Sequence, residues 1–171
     1  MKTRIAIFSL LCMILFSNSS SAQNVRTSHP LDNPKIEKYI EQHTKTMGFE
    51  EIVWECIDIT NKTLYFSTNS KFKSNSQLAI GKRIPTHCVY FNQVYVSMIN
   101  YAFKINNIRA DVYHCVGPVV IGKTDFTKTV SGFFRKLGMT KAANFTKDHD
   151  YTMIVHNNDT ILVDPIFRTV R

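Results

Sequence analysis

The sequence predicts an α+β fold, and three observations carry that expectation. Residues 33–48, "NPKIEKYIEQHTKTMG", repeat apolar side chains at the spacing of one helix face. Residues 87–105 are apolar almost all round, the pattern of a helix buried inside a domain. Residues 149–164, "HDYTMIVHNNDTILVD", set two strand-like runs on either side of Asn157-Asn158. Such a pair suits a two-residue hairpin turn.

The order of elements starts after a segment that is not read as fold. Lys2 and Arg4 precede an apolar run, Ile5 to Phe16, which is too short to span a bilayer. "SNSSSA" follows, with small residues Ser20 and Ala22 at the −3 and −1 positions of a cleavage site. Residues 1–22 are therefore expected to be a signal peptide, and residues 23–171 one exported domain, periplasmic or secreted, that begins at Gln23. No membrane span is expected after cleavage.

Residues 23–32 read as a loose leader. In the first helix Asn33 can cap, Pro34 suits the first helical position, and Gly48 is the expected stop. Ile36, Tyr39, Ile40 and Met47 share its apolar face. "EEIVWECIDI" and "KTLYF" read as strands, or as a strand and irregular chain, and residues 67–77 as a polar loop. Pro85 disfavours helix before it, and Thr86 is the expected cap of the buried helix, which Asn106 and Asn107 end. "IRADVYHCV" and "VVIG" read as strands split by Gly117-Pro118, and "TDFTKTVSGFFRKLG" as a helix closed by Gly138.

The formal charge is +8, which suits an anionic neighbourhood such as a cell envelope and equally describes a solvated basic surface. Lys and Arg are spread along the chain and no nucleic-acid-binding motif accompanies them, so no nucleic-acid partner is expected. Beyond Cys12, in the leader, the chain carries Cys56, Cys88 and Cys115. An odd count in an oxidising compartment leaves one thiol unpaired. The expectation is a Cys56–Cys115 disulfide and a free Cys88. No CxxC or HxxxH spacing occurs, so no metal site is expected.

Cys88 falls in the first turn of the buried helix, where unpaired backbone N–H groups and the helix dipole favour a thiolate. In the hairpin, a turn at Asn157-Asn158 pairs His156 with Asp159. Counting outward, Tyr151 faces Asp164 and His149 lies on the same face, a diagonal neighbour of that carboxylate; a three-residue loop would shift the pairing by one and turn Asp164 to the other face unless a bulge restored it. Cys88, His149 and Asp164 are thus the candidate nucleophile, base and orienting acid. His87 points about 100° away from Cys88 on a helix and is a poor base for it. His43, His114 and His156 read as structural or solvated.

With these residues in hand, "THCVYFNQVYVSMINYAFKINNIRADVYH" resembles the nucleophile segment of the transglutaminase-like superfamily. "HDYTMIVHNNDTILVDPIF" resembles its histidine and aspartate blocks, and the order Cys, His, Asp also matches. The resemblance runs over roughly residues 77–167. Val89 departs from the small or acidic residue often found after the nucleophile, and residues 123–145 read as an insertion. The resemblance implies a papain-like core, a nucleophile helix packed on an antiparallel sheet, with thiol chemistry at an amide carbonyl. It implies no metal or organic cofactor, and a protein, peptide or peptidoglycan substrate. Trp54 and Gln77 are the upstream side chains considered for a second oxyanion donor. Two rival readings share the fold: a non-catalytic exported binding or inhibitor protein, and a cell-wall-directed amidase or toxin.

Overall fold

A computed structural model describes residues 24–117, 120–121, 124–125 and 149–170. The expected signal peptide and nearly all of the expected helix in residues 124–138 lie outside them. Thr124–Asp125, where that helix was expected to begin, forms a two-residue strand instead.

Helix α1 (Pro34–Thr44) starts as expected, with the Asn33 side chain accepting the Ile36 N–H at 3.2 Å. It ends earlier than expected. Thr46 takes a left-handed φ of 72°, and Gly48 caps the next helix rather than stopping this one. That next helix, α2 (Phe49–Thr63), replaces the strand expected at "EEIVWECIDI". The β-branched Ile52, Val53, Ile57 and Ile59 suggest a strand by propensity, but propensity is a weak prior. Ile52, Cys56, Ile59 and Thr63 repeat at helical spacing, all are buried, and Glu51 reaches back to the Gly48 N–H at 2.8 Å to close the first turn.

Strand β2 (Leu64–Phe66) pairs in parallel with β3 (Ile84–Thr86), and a single 3₁₀ turn (Asn75–Gln77) lies in the polar loop between them. This small sheet delivers the chain to helix α3 (Cys88–Ile105). The cap of α3 is His87, one residue later than expected, because Thr86 is held in β3, where its carbonyl accepts the Ser67 N–H at 2.7 Å. Asn106 and Asn107 end α3 as expected, Asn107 with φ 54°.

A five-stranded antiparallel sheet runs in the order β1-β4-β7-β8-β9: β1 (Asn24–Arg26), β4 (Asp111–Val116), β7 (Asp150–His156), β8 (Asp159–Asp164) and β9 (Thr169–Val170). Strands β5 (Val120–Ile121) and β6 (Thr124–Asp125) form a separate hairpin. The β7–β8 turn has the anticipated register. His156 pairs with Asp159, and Asn157 and Asn158 both adopt positive φ, 51° and 68°, as a type I′ turn requires.

Helix α3 is the centre of the molecule. It packs against α1, α2, β4 and β7, and Phe91, Val94, Tyr95, Val96, Met98, Ile99 and Ala102 are each at most 1% exposed. The apolar cluster joins all of these but Val96 to Ile36, Ile40, Ile52 and Ile57 from the helices and to Ile154 and Val163 from the sheet. The architecture is therefore mixed helix and sheet, α+β, with three helices over one main sheet among the described residues. Among those residues no helix is long and apolar enough to cross a membrane.

Candidate active site

Cys88 is the first residue of α3, and its side chain is half-buried where the helix start meets the end of the main sheet. At a helix start the first N–H groups have no intrahelical partner, which favours negative charge there.

His149 stands immediately before β7, and Asp164 closes β8. The β7–β8 register, prolonged from Thr152 opposite Val163, sets Tyr151 opposite Asp164 and makes His149 and Asp164 diagonal neighbours. The His149 Nε2–H donates to Asp164 Oδ2 at 2.5 Å, with His149 7% exposed. The other carboxylate oxygen, Oδ1, accepts the Ile166 N–H at 3.0 Å and the Phe167 N–H at 3.3 Å. The turn after β8 therefore fixes the acid. The same turn swings the Phe167 ring to 5.8 Å from the imidazole, and Asn61 of α2 pins it by donating to the Pro165 carbonyl at 2.9 Å.

With Nε2 committed to Asp164, Nδ1 is the ring nitrogen left for the sulfur, and Cys88 lies near enough to contribute to the raised pKa of the imidazole. Burial works to lower the His149 pKa, but the Asp164 charge and hydrogen bond, with the same from Cys88, push it up to about 10. The imidazole is a cation held beside a sulfur.

Four of the site's neighbours were given no part in it by the sequence reading. The Cys88 thiol donates to Asp150 Oδ2 at 3.6 Å. The Asp150 side chain is 1% exposed, and its Oδ1 accepts from Arg26 Nε at 2.9 Å and His114 Nε2 at 2.8 Å. Burial alone raises the Asp150 pKa, but the hydrogen bonds and charges of His114 and Arg26 outweigh it and hold the carboxyl below its usual value. His114 is thus buried and engaged, not solvated. Asn92, one turn along α3 from Cys88, accepts from Thr152 Oγ1 at 3.2 Å and donates to the Asp150 carbonyl at 2.6 Å and the Cys88 carbonyl at 3.3 Å. Its position four residues after Cys88 in an otherwise apolar helix was the signal available in sequence. Asp150 had a comparable one, a carboxylate at the head of the apolar run Tyr151–Val155.

The remaining candidates fall elsewhere. Gln77 is exposed and spends its Oε1 on the Lys73 and Ser74 N–H groups, at 2.7 and 3.3 Å. Trp54 is 44% exposed on α2. No hydrogen bond between described residues links either to Cys88. His43 is exposed, and His156 stacks on Phe49 with ring centroids 4.2 Å apart. His87 packs its ring on Tyr90, 4.7 Å between centroids, and burial lowers its pKa.

The expected Cys56–Cys115 disulfide does not form, and all three cysteines are free. Cys56 lies in the core cluster, where burial pushes its thiol pKa well up. Cys115 lies on β4 next to His114, so strand alternation turns it to the opposite face of the sheet, outside that cluster. The sheet stands between the two sulfurs.

Among the described residues no group of His, Cys, Asp and Glu is arranged to hold a metal ion. No protein-family model matches the chain, and neither a curated protein nor a solved structure matches it.

Proposed function

We propose that the protein is an exported cysteine-dependent acyl-transfer enzyme acting on an amide, built on a papain-like core of the transglutaminase type. The observation that carries this reading is the 2.5 Å His149–Asp164 pair presented to a sulfur at the first residue of a buried helix. The motif resemblance and the packing of α3 on an antiparallel sheet support the fold assignment; the apolar N-terminal run supports export.

Cys88 Sγ attacks the amide carbonyl carbon, forming a C–S bond and an oxyanion. The Cys88 backbone N–H donates to that oxygen. His149, protonated at Nδ1, passes its proton to the leaving nitrogen as the C–N bond breaks, which leaves a thioester on Cys88. His149 then takes a proton from the second nucleophile as that group attacks the thioester. The C–S bond breaks and the imidazolium–thiolate pair returns. Asp164 keeps Nδ1 aimed at the sulfur and stabilises the cationic ring. Water as second nucleophile makes the enzyme a protease, amidase or deamidase; an amine makes it a cross-linking transferase.

A second reading, a binding or inhibitor protein, is favoured by one observation: among the described residues neither Trp54 nor Gln77 is hydrogen-bonded to Cys88, and Gln77 spends its Oε1 on its own loop. A glutamine-amide and peptide library, with purified sacculi alongside, separates the readings when assayed for ammonia or amine release and labelled-amine incorporation. Turnover abolished by Cys88→Ala, nearly abolished by His149→Ala and less affected by Asp164→Asn supports the enzyme. Wild-type turnover by Cys88→Ala refutes it.

A further inference from the structure

Asp150 sets a problem for a nucleophilic sulfur. Its Oδ2 lies 3.6 Å from Cys88 Sγ, and the thiol donates to it. That bond fixes the sulfur's rotamer. Once the sulfur ionises, however, two anions face each other at van der Waals distance, and the second disfavours the first. The sheet brings a compensating charge from the opposite end of the chain. Arg26 on β1 sits opposite His114 on β4, His114 opposite Thr152 on β7, and Asp150 lies diagonally on that same face. Arg26 Nε and His114 Nε2 both donate to Asp150 Oδ1. His114 Nδ1 is buried with no hydrogen-bond partner among the described residues. The Arg26 guanidinium brings a permanent positive charge to the same carboxylate oxygen.

We infer that Arg26 is a positioning residue for Cys88, acting through Asp150, so that the nucleophile is complete only with the N-terminal strand β1 docked on the sheet. The inference rests on Cys88 being the nucleophile. It adds a requirement that none of Cys88, His149 and Asp164 contains: the residues just beyond the expected cleavage point at Ala22 form part of the site. Activity is thereby tied to the docking of β1 on the sheet. Among the described residues, the charged and titratable groups of the site are His87 at the cap of α3, His149 and Asp150 at the head of β7, Asp164 on β8, His114 on β4 and Arg26 on β1. Of these, Arg26 stands at the sheet edge with a side chain 45% exposed, so it is replaceable without opening the core.

The test is the rate of iodoacetamide alkylation of Cys88 from pH 5 to 9, read by peptide mapping, in the wild type, Arg26→Gln, Arg26→Lys and the Arg26→Gln/Asp150→Asn double variant. Thermal melting confirms that each is folded. Because the guanidinium is partly screened by solvent, the expected loss in Arg26→Gln is about three- to tenfold at pH 6, with the whole profile moved to higher pH. Arg26→Lys keeps the charge and most of the rate. The double variant, with neither the guanidinium nor the carboxylate charge, recovers at least the wild-type rate. Coincident profiles for Arg26→Gln and wild type overturn the inference, as does a slow double variant, since a merely structural Arg26 would not be rescued by removing the charge of its partner Asp150. If the double variant does not fold, the ratio of Arg26→Gln to Arg26→Lys decides alone: equal rates overturn the inference. These ratios are read whatever the absolute rate. A wild-type Cys88 labelled no faster at pH 6 than in the urea-unfolded chain instead overturns the nucleophile reading.

Discussion

Asp164→Asn isolates one charge in an otherwise unchanged site. Asparagine keeps an oxygen for the Ile166 and Phe167 N–H groups, so the turn that positions Phe167 survives, and what is lost is the negative charge facing His149. In the folded wild type the imidazole titrates near 10 rather than 6.5, despite being buried. A group whose folded pKa is raised stabilises the fold fully below its unfolded pKa, and the stabilisation disappears as the pH rises through the folded value. The gap between 6.5 and about 10, at about 1.4 kcal/mol per pH unit, bounds the contribution at about 5 kcal/mol in acid. The same linkage leaves about 4 kcal/mol at pH 7 and under about 1 kcal/mol at pH 10. Cys88 supplies part of the raised value, so the charge of Asp164 accounts for about 2–4 kcal/mol at pH 7. The assay is urea unfolding of wild type and Asp164→Asn, under reductant, at unit steps from pH 6 to 10. The difference between the two proteins cancels the titration of lysines and tyrosines common to both. It should be largest at pH 6–7 and shrink towards zero at pH 10. A difference under about 1 kcal/mol at pH 7, or one that stays flat to pH 10, refutes the reasoning, because it would mean that the imidazole is not held as a cation by Asp164.

Asn92→Ala should cost about 2–3 kcal/mol in chemical denaturation, since it strips partners from the buried Thr152 hydroxyl and the Asp150 carbonyl, and it should also slow Cys88 alkylation. Asn158→Gly should leave stability unchanged or raise it by up to about 1 kcal/mol, whereas Asn158→Val should lower it by about 1–2 kcal/mol, because position 158 needs a positive φ; thermal melts of both decide. Reductant should leave the melting temperature unchanged, and non-reducing peptide mapping should recover Cys56, Cys88 and Cys115 as thiols. Cys56→Ala should cost about 1–2 kcal/mol through the void it leaves beside Tyr95, measured by urea unfolding.

Local pattern determined a good part of this molecule. The buried helix α3 was legible because a segment apolar on all sides can only be satisfied inside a domain. The β7–β8 hairpin was legible because Asn157-Asn158 accepts the left-handed backbone that a two-residue turn demands, and the turn then sets every pairing out to His149 and Asp164. That is why two members of the proposed triad met where counting placed them. Helix α2 was misread because its β-branched residues carry strand propensity, and the choice between the two periods was made by the surface of α3 on which Ile52, Cys56 and Ile59 pack. The cysteine pairing was misread because count and compartment say nothing of faces, and only the sheet decides that Cys56 and Cys115 lie on opposite sides of it. Arg26, His114 and Asp150 are separated by 88 and 36 residues in sequence and meet at one carboxylate oxygen. Strand order alone joins them, because β1 and β7 both pair with β4, and strand order is fixed by which edges are left to pair once the core has closed.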